Sequence, residues 1–370
     1  MSRPAAFAAL VLTLFAGCGG AQPIRIGIAG TFSDSLTISM KHAAEMATDE
    51  INAAGGIAGR RLELVIRDDF GNPDSAVRVA TALYQSDVVA VVGHSFSGAT
   101  SAAAPVYNGG RNPLAHISPS ASSPEISRLG PYTFRLCPSD LAHGAALAHW
   151  ARETLGLSGA AVIYVNNGYG RGVRQTFVRE FSRLGGHIVS VDPLGDPPVV
   201  GPYLERIARR NDVEFIVLAG YQVEAAALLR RAQELNLHLP VLGGDGLEQV
   251  YQLGPVAEGV YTTSAYLKDI DTDANHRFVA AYRQRFPDGA PPNQSAVGTY
   301  DALQLLKRVI EKAGDGRRAI RDELSRVGRN EPAFEGVTRR IAFDSNGDLA
   351  DQQVFVGVVR GGAVRAAVGQ

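Results

Sequence analysis

Residues 87–100 read DVVAVVGHSFSGAT. An apolar, β-branched run ends at Gly93, a turn of glycine and hydroxyl residues follows, and small residues open a helix-like segment. A short run without alternation suits a strand covered on both faces. A strand that feeds directly into a helix is the repeating unit of an α/β fold. The same residues admit two chemistries. G-H-S-F-S at 93–97 nearly matches the G-x-S-x-G elbow that exposes a nucleophilic serine, here Ser95. An elbow needs an acid and then a histidine downstream, and Asp245 and His276 stand in that order, but no H-G-G oxyanion loop follows an upstream strand. Alternatively, the helix N-terminus presents free N–H groups and partial positive charge to an anion. Ser95, Ser97 and Thr100 would then add hydroxyl donors. A third reading makes these serines helix caps only.

Outward from this stretch the grammar repeats. Strands are expected at 24–29, 62–67, 88–92 and 114–117, with helices at 36–54, 73–86 and 97–108 between and after them. The pattern restarts with a helix at 145–155. Strands follow at 160–165, 187–191, 213–219, 241–242 and 260–264, with helices at 171–184, 203–210 and 223–236. Three further helices fall at 278–285, 295–312 and 319–327. Segments 338–343 and 353–360, joined by the turn at 344–347, read as a β-hairpin. These are two α/β units in series, expected as two Rossmann-like lobes with parallel sheets and a ligand cleft at the strand carboxyl ends. The late helices suggest that the chain returns to the first lobe.

The bulk composition narrows the class. The chain has 370 residues, 45% of them hydrophobic and 20% charged, with formal net charge −1. This is the balance of a globular protein of about two domains. It lacks the basic excess of a nucleic-acid binder. G-Y-G-R-G at 168–172 does not have dinucleotide-binding spacing, and no G-K-[ST] is present. The eight histidines form neither H-E-x-x-H nor a Cys/His cluster. Asp68-Asp69 at a strand end is a conceivable Mg²⁺ pair, more commonly solvated or a turn cap. No cofactor is expected.

The N-terminus is a separate object. Arg3 precedes an apolar run of signal-peptide length. L-F-A-G-C at 14–18 resembles the lipobox of bacterial lipoproteins, which implies lipidation of Cys18 after removal of 1–17 and a tether at 18–23. The alternative is an ordinary secretory site cut near Ala21. Cys137 is then alone, and a lone cysteine beside Leu136 reads as a small buried hydrophobe.

From residue 24 to about 360 the chain resembles the substrate-binding proteins of branched-chain amino-acid ABC transporters, with the type I periplasmic-binding-protein fold. The matching phrases are IRIGIAG at 24–30, ATDEINAAGGIAGRRL at 47–62, DDFGNP at 68–73 and VVGHSFSGATSAAAP at 91–105. NGYGRG at 167–172, AGY at 219–221 and GGDG at 243–246 continue the match in the second unit. The resemblance implies a hinged clamp. Ser97 binds the ligand carboxylate, with Ser95 beside it. The Ser120 carbonyl accepts from the ligand ammonium and Ser122 contacts the carboxylate. Tyr169 and Tyr221 cover the ligand, and Asp245 holds the ammonium. It further implies lobe 1 at 24–139 plus 265–343 and lobe 2 at 140–264 plus 344–370. Hinges are expected near Ser139-Asp140, Thr263-Ser264 and Asp344-Ser345. Its expected partners are a membrane permease pair and ATPase subunits, the protein itself being monomeric, exported and anchored by lipid. A sensory binding protein of the same fold stays open.

The chain also departs from the family pattern. Asp245 stands where many relatives have glutamate. Ser39 falls in a pocket-shaping loop (30–40) where an aromatic residue is usual. Gly71 and Phe96 occupy the places of the family's first-lobe disulfide.

Overall fold

Apolar runs that cannot be solvated pair their backbones, and among the described residues they do so in two large sheets and one two-stranded ribbon. The computed structural model describes residues 22–33 and 37–367. The leader, Cys18 and most of the tether lie outside the described residues. In chain order the first elements are β1 (Ile24–Gly30), α1 (Ile38–Ala53), β2 (Leu62–Asp68), α2 (Pro73–Gln85), β3 (Ala90–Gly93), α3 (Ser97–Asn108), β4 (His116–Ser118) and β5 (Thr133–Arg135). Their strands form one parallel sheet in the order β2-β1-β3-β4-β5.

The chain continues through α4 (Asp140–His149), β6 (Gly159–Val165), α5 (Gly168–Arg183), β7 (His187–Leu194), α6 (Gly201–Ile207), β8 (Phe215–Ala219), α7 (Gln222–Glu234), β9 (Val241–Gly243) and β10 (Tyr261–Ser264). Then come α8 (Asp273–Arg285), α9 (Gln294–Ala313), α10 (Arg317–Leu324), β11 (Phe334–Glu335), β12 (Arg340–Ile341), β13 (Phe355–Arg360) and β14 (Ala363–Ala366). The second sheet runs β14-β13-β10-β9-β8-β6-β7. Its β6 to β10 strands are parallel, β13 adds antiparallel to β10, and β14 antiparallel to β13. The expected α/β architecture with two Rossmann-like sheets is what the chain adopts.

Each sheet is covered on both faces, as parallel strands require. Ile26 and Ile28 of β1 pack with Leu303 and Leu306 of α9 and Ile320 of α10 on one face. Val91 meets Ala80, Ala99 and Tyr107 of α2 and α3 on the other. In the second sheet α6 and α7 cover one face and α4 and α5 the other. The late helices thus return to the first sheet, as expected. The chain passes between sheets after β5, after β10 and before β13. Phe343 and Leu349 both pack in the first core, so the last passage falls at 350–354, later than the expected Asp344-Ser345.

The expected hairpin is corrected. The 338–343 segment yields β12, whose partner is β11. The 353–360 segment becomes β13, which pairs with β10 and, across Gly361-Gly362, with β14. Those glycines have φ of +59° and +74°, the left-handed pair that a two-residue hairpin turn needs.

Candidate functional site

In a doubly wound sheet, loops diverge where the strand order reverses, and that gap receives ligands. The first sheet reverses between β1 and β3, and the second between β6 and β8. The loop after β3 carries Ser95 to Ser97. The loops after β6 and β8 carry Tyr169 and Tyr221. The two reversal points face each other across one cavity. Its lining brings together Ser95, Ser97, Ser120, Ser122, Tyr169, Tyr221 and Asp245, so every ligand-contact residue expected from the sequence reaches it. The cavity is narrow, about 20 Å³, with room for little more than one water molecule.

The anion-facing wall is built from β3 outward. Gly93 has φ +140°, and a Cβ there would sit 2.1 Å from the Ala29 carbonyl oxygen, so the turn requires glycine. No side chain caps the N-terminus of α3. The capping role left open for these serines is therefore not filled at this helix. Ser97 Oγ accepts from the Ser123 N–H at 3.1 Å, which leaves its hydroxyl proton to donate into the cavity. Ser120 Oγ donates to the Ser95 carbonyl at 2.9 Å. The Ser122 carbonyl accepts from the Asp140 N–H and from Arg135 Nη1.

Behind this wall lies a buried polar layer. His94 Nδ1 lies 2.5 Å from Asp69 Oδ2, and its Nε2 lies 3.1 Å from the Tyr107 hydroxyl. Burial alone would raise the pKa of Asp69. Hydrogen bonding and charge from His94, with the Gly71 N–H and the Thr31 hydroxyl, outweigh it and hold the carboxyl below its ordinary range. Asp69 is thus a structural acid, and no metal-binding cluster occurs among the described residues.

The opposite wall carries the negative charge. Asp245 is buried, and its Oδ2 accepts from Gln294 Nε2 at 2.7 Å while Oδ1 has no partner. His143 Nε2 lies 3.8 Å from Asp245 Oδ2, too far for a hydrogen bond. Burial lowers the pKa of His143 against the pull of Asp245, so this contact is not an ion pair at neutral pH. Beneath it, burial and then the nearby Asp245 push Asp140 well above the carboxylate range, with the Ser122 hydroxyl and Arg135 opposing. The Ser122 hydroxyl is near, but neither Asp140 oxygen makes a hydrogen bond of ordinary geometry. Tyr169 and Tyr221 stack with centroids 4.9 Å apart. The Tyr169 hydroxyl accepts from the Gly246 N–H at 2.8 Å.

Other lining residues were not expected from the sequence as ligand contacts: Thr37, Phe96, Gly246, Gln294 and Ser295. Asn293 before Gln294 is an N-cap signal that could have placed α9's first turn, but not its direction. Ser39, expected to shape the pocket, is not in the lining. Its Oγ donates to Asn293 Oδ1 at 2.6 Å, tying α1 to α9, and Thr37 reaches the cavity instead. Gly71 and Phe96 do face each other, a Cβ on Gly71 falling 3.3 Å from the Phe96 ring.

The elbow reading fails on geometry. Ser95 Oγ donates to Met40 Sδ at 3.3 Å, with no base in hydrogen-bond reach among its described partners. His276 is exposed on α8 beside Asp271, and Asp245 does not orient it. Cys137 is buried and free, and burial raises its thiol pKa.

The family model described as periplasmic binding protein matches residues 23–363. The leucine-, isoleucine-, valine-, threonine-, and alanine-binding protein of Pseudomonas aeruginosa is 29% identical, over 93% of this chain and 92% of that protein. Among solved structures, the branched-chain amino acid transporter substrate binding protein LivJ of Streptococcus pneumoniae, in complex with isoleucine, superposes with a TM-score of 0.84. It is 27% identical, over 93% of this chain and 98% of that one. A solute binding protein of an ABC transporter from Rhodopseudomonas palustris, in complex with 3,4-dihydroxy benzoic acid, shares the fold. Its TM-score is 0.80 at 21% identity, over 93% of this chain and 96% of that one.

Proposed function

Because this chain belongs to the periplasmic binding protein family, whose members bind solutes rather than transform them, we propose that it captures an amino-acid-like zwitterion between its two sheets for an ABC importer. The observation that carries this reading is the pairing of opposite ends in one cavity. On one side stand the uncapped N-terminus of α3 and the free hydroxyl proton of Ser97. On the other stands Asp245 with one carboxylate oxygen unpartnered. The first suits a carboxylate and the second an ammonium. Ser122 adds a hydroxyl to the anion end, the Ser120 carbonyl accepts at the cation end, and Tyr169 and Tyr221 enclose the remainder.

The mechanism is a clamp. On this reading the lobes are 24–139 plus 265–349 and 140–264 plus 350–367, a last boundary supported by Phe343 and Leu349 packing in the first core. A cavity of about 20 Å³ does not admit an amino acid, so the lobes part before the ligand enters. The ligand docks on the α3 shelf, and closure adds Tyr169, Tyr221 and Asp245. The monomeric, closed form then docks on a permease pair driven by ATPase subunits. Family membership carries export to the periplasm, and lipidated Cys18 would anchor the protein to a membrane.

A thermal-shift screen tests this. Free amino acids, their amides, urea and aromatic acids are compared at equal concentration. A ligand that binds only the folded state raises the melting temperature by mass action. The expected result is a shift with one or more free amino acids. Shifts with aromatic acids alone would overturn the zwitterion assignment.

A further inference from the structure

A second cavity, lined by Glu248, is larger than the first, at about 180 Å³. Its walls come from the turn after β9 (Glu248, Gln249, Tyr251), the segment after β10 (Tyr266, Leu267) and the β13–β14 hairpin (Ala363). A cavity of about 150 Å³ with apolar walls admits a benzene-sized molecule. This one has aromatic and aliphatic walls and a polar end. Lys268 is the one cation in its lining among the described residues.

The polar end carries unused hydrogen-bonding capacity. Glu248 is 7% exposed. Its Oε1 already accepts from Ser264 Oγ at 3.2 Å and from the Gln294 N–H at 3.1 Å, whereas Oε2 has no partner. Gln249 is 3% exposed; its Oε1 accepts from Gln252 Nε2 at 3.0 Å, and its own Nε2 has no partner. Buried polar atoms of native proteins are rarely left this way. Burial first, and then the charge of Asp245, push the pKa of Glu248 up to about 8 against the Gln294 and Ser264 hydrogen bonds. Tyr251 and Tyr266, which also face it, have raised pKa values and stay neutral. At neutral pH the acid is therefore mostly protonated. Since Oε1 is occupied by two donors, the proton belongs on Oε2. Glu248 Oε2 and Gln249 Nε2 are then two donors without an acceptor, on neighbouring residues that line a cavity with one cation among the described residues.

We propose that this second cavity is a ligand site in its own right, taking a small apolar carboxylic acid whose carboxylate accepts from Glu248 and Gln249. The hydrocarbon part packs on Tyr251, Tyr266 and Leu267, and Lys268 supplies the countercharge. The site is a separate cavity from the one between the sheets, linked to it through Gln294, which donates to both Asp245 and Glu248.

The test is a ¹⁵N NMR titration of the exported protein with cyclohexanecarboxylate, an acid without an ammonium group. The amide signals of Gln249, Leu267 and Ala363 are expected to move saturably at pH 6.5, with those of Ser97 and Gly246 still. Raising the pH to 9 ionises Glu248 and places it against the ligand's charge, so affinity falls about tenfold. Glu248→Gln keeps a donor at the Oε2 position at every pH, and its affinity changes less than twofold over the same range. Ala363→Trp, which fills the cavity, abolishes the response. No saturable shift at these residues, shifts confined to Ser97 and Gly246, or an equal pH response in Glu248→Gln would each overturn the proposal. The last comparison decides the matter even if Ala363→Trp does not fold.

Discussion

Gly93 and Ser97 divide the work of the shelf. Gly93 lets the backbone leave β3 past Ala29, and Ser97 presents the hydroxyl that the turn has positioned. Both lie in the stretch that the sequence marks most strongly, although that stretch can be read as a nucleophile elbow, an anion shelf or a set of helix caps. Thr37, Gln294 and Ser295 were not legible in the same way. They come from α1 and α9, distant in sequence, and nothing local says which helix ends meet the cavity. Ser97→Ala removes a donor to a charged group. It should weaken binding of the preferred amino acid by roughly 1–3 kcal/mol, read by calorimetry. An unchanged dissociation constant would remove Ser97 from the anion site.

Among the elements, β3 and β4 carry a buried titratable layer that the sequence did not reveal, since a histidine in an apolar run looks like any other polar interruption. His116 of β4 is fully buried, with Nδ1 3.3 Å from the Gly93 carbonyl and Nε2 2.8 Å from Thr133 Oγ1. Burial pushes its pKa down to about 3, His94 adding to this and the Gly93 carbonyl opposing. The folded state therefore resists a proton that the unfolded chain accepts near pH 6.5. The contribution to stability is complete above that pH and is lost as pH falls from about 6.5 toward 3, at up to about 1.4 kcal/mol per pH unit. Urea unfolding at pH 7.5, 6.5, 5.5 and 4.5 checks this. The decline below pH 6.5 should be shallower in His116→Gln; parallel curves would contradict it. Short strands were the other blind spot. β5 places Arg135, 1% exposed, within a buried strand, and a charged residue in a three-residue run gives no strand signal. Its Nη1 donates to the Ser122 and Ser123 carbonyls and its Nη2 to Asp348 Oδ2. The β13–β14 hairpin was legible in principle from Gly361-Gly362, but the Asn346-Gly347 turn drew the assignment one turn too early.

Across the whole molecule, alternation of apolar runs and helical segments was enough to specify two sheets, whereas their mutual approach depends on contacts that no local pattern encodes. Contacts that cross the cleft include a backbone one, the Gln294 N–H donating to Glu248 Oε1 at 3.1 Å, and three made through side chains. Phe96 meets Tyr221 edge-on at 5.3 Å, Ser123 Oγ donates to the Gly168 carbonyl, and Gln294 Nε2 donates to Asp245. The last is charge-assisted and should matter most, at roughly 1.5–3 kcal/mol. Gln294→Ala should shift the ligand-free protein toward open forms, seen as a larger radius of gyration by X-ray scattering. Added ligand should restore the compact value. The same radius with and without the Gln294 side chain would show that this contact does not hold the lobes together.

The measurement that bears most directly on the central claim is a calorimetric comparison of one amino acid, the strongest in the thermal screen, with its methyl ester and its N-acetyl derivative. The ester removes the charge that α3 and Ser97 are built to receive, and acetylation removes the charge that Asp245 is left to receive. Each derivative should bind at least about tenfold more weakly than the parent, as expected for a lost hydrogen bond to a charged group. If either binds within twofold of the free amino acid, the cavity does not read the two ends of a zwitterion and the account is wrong.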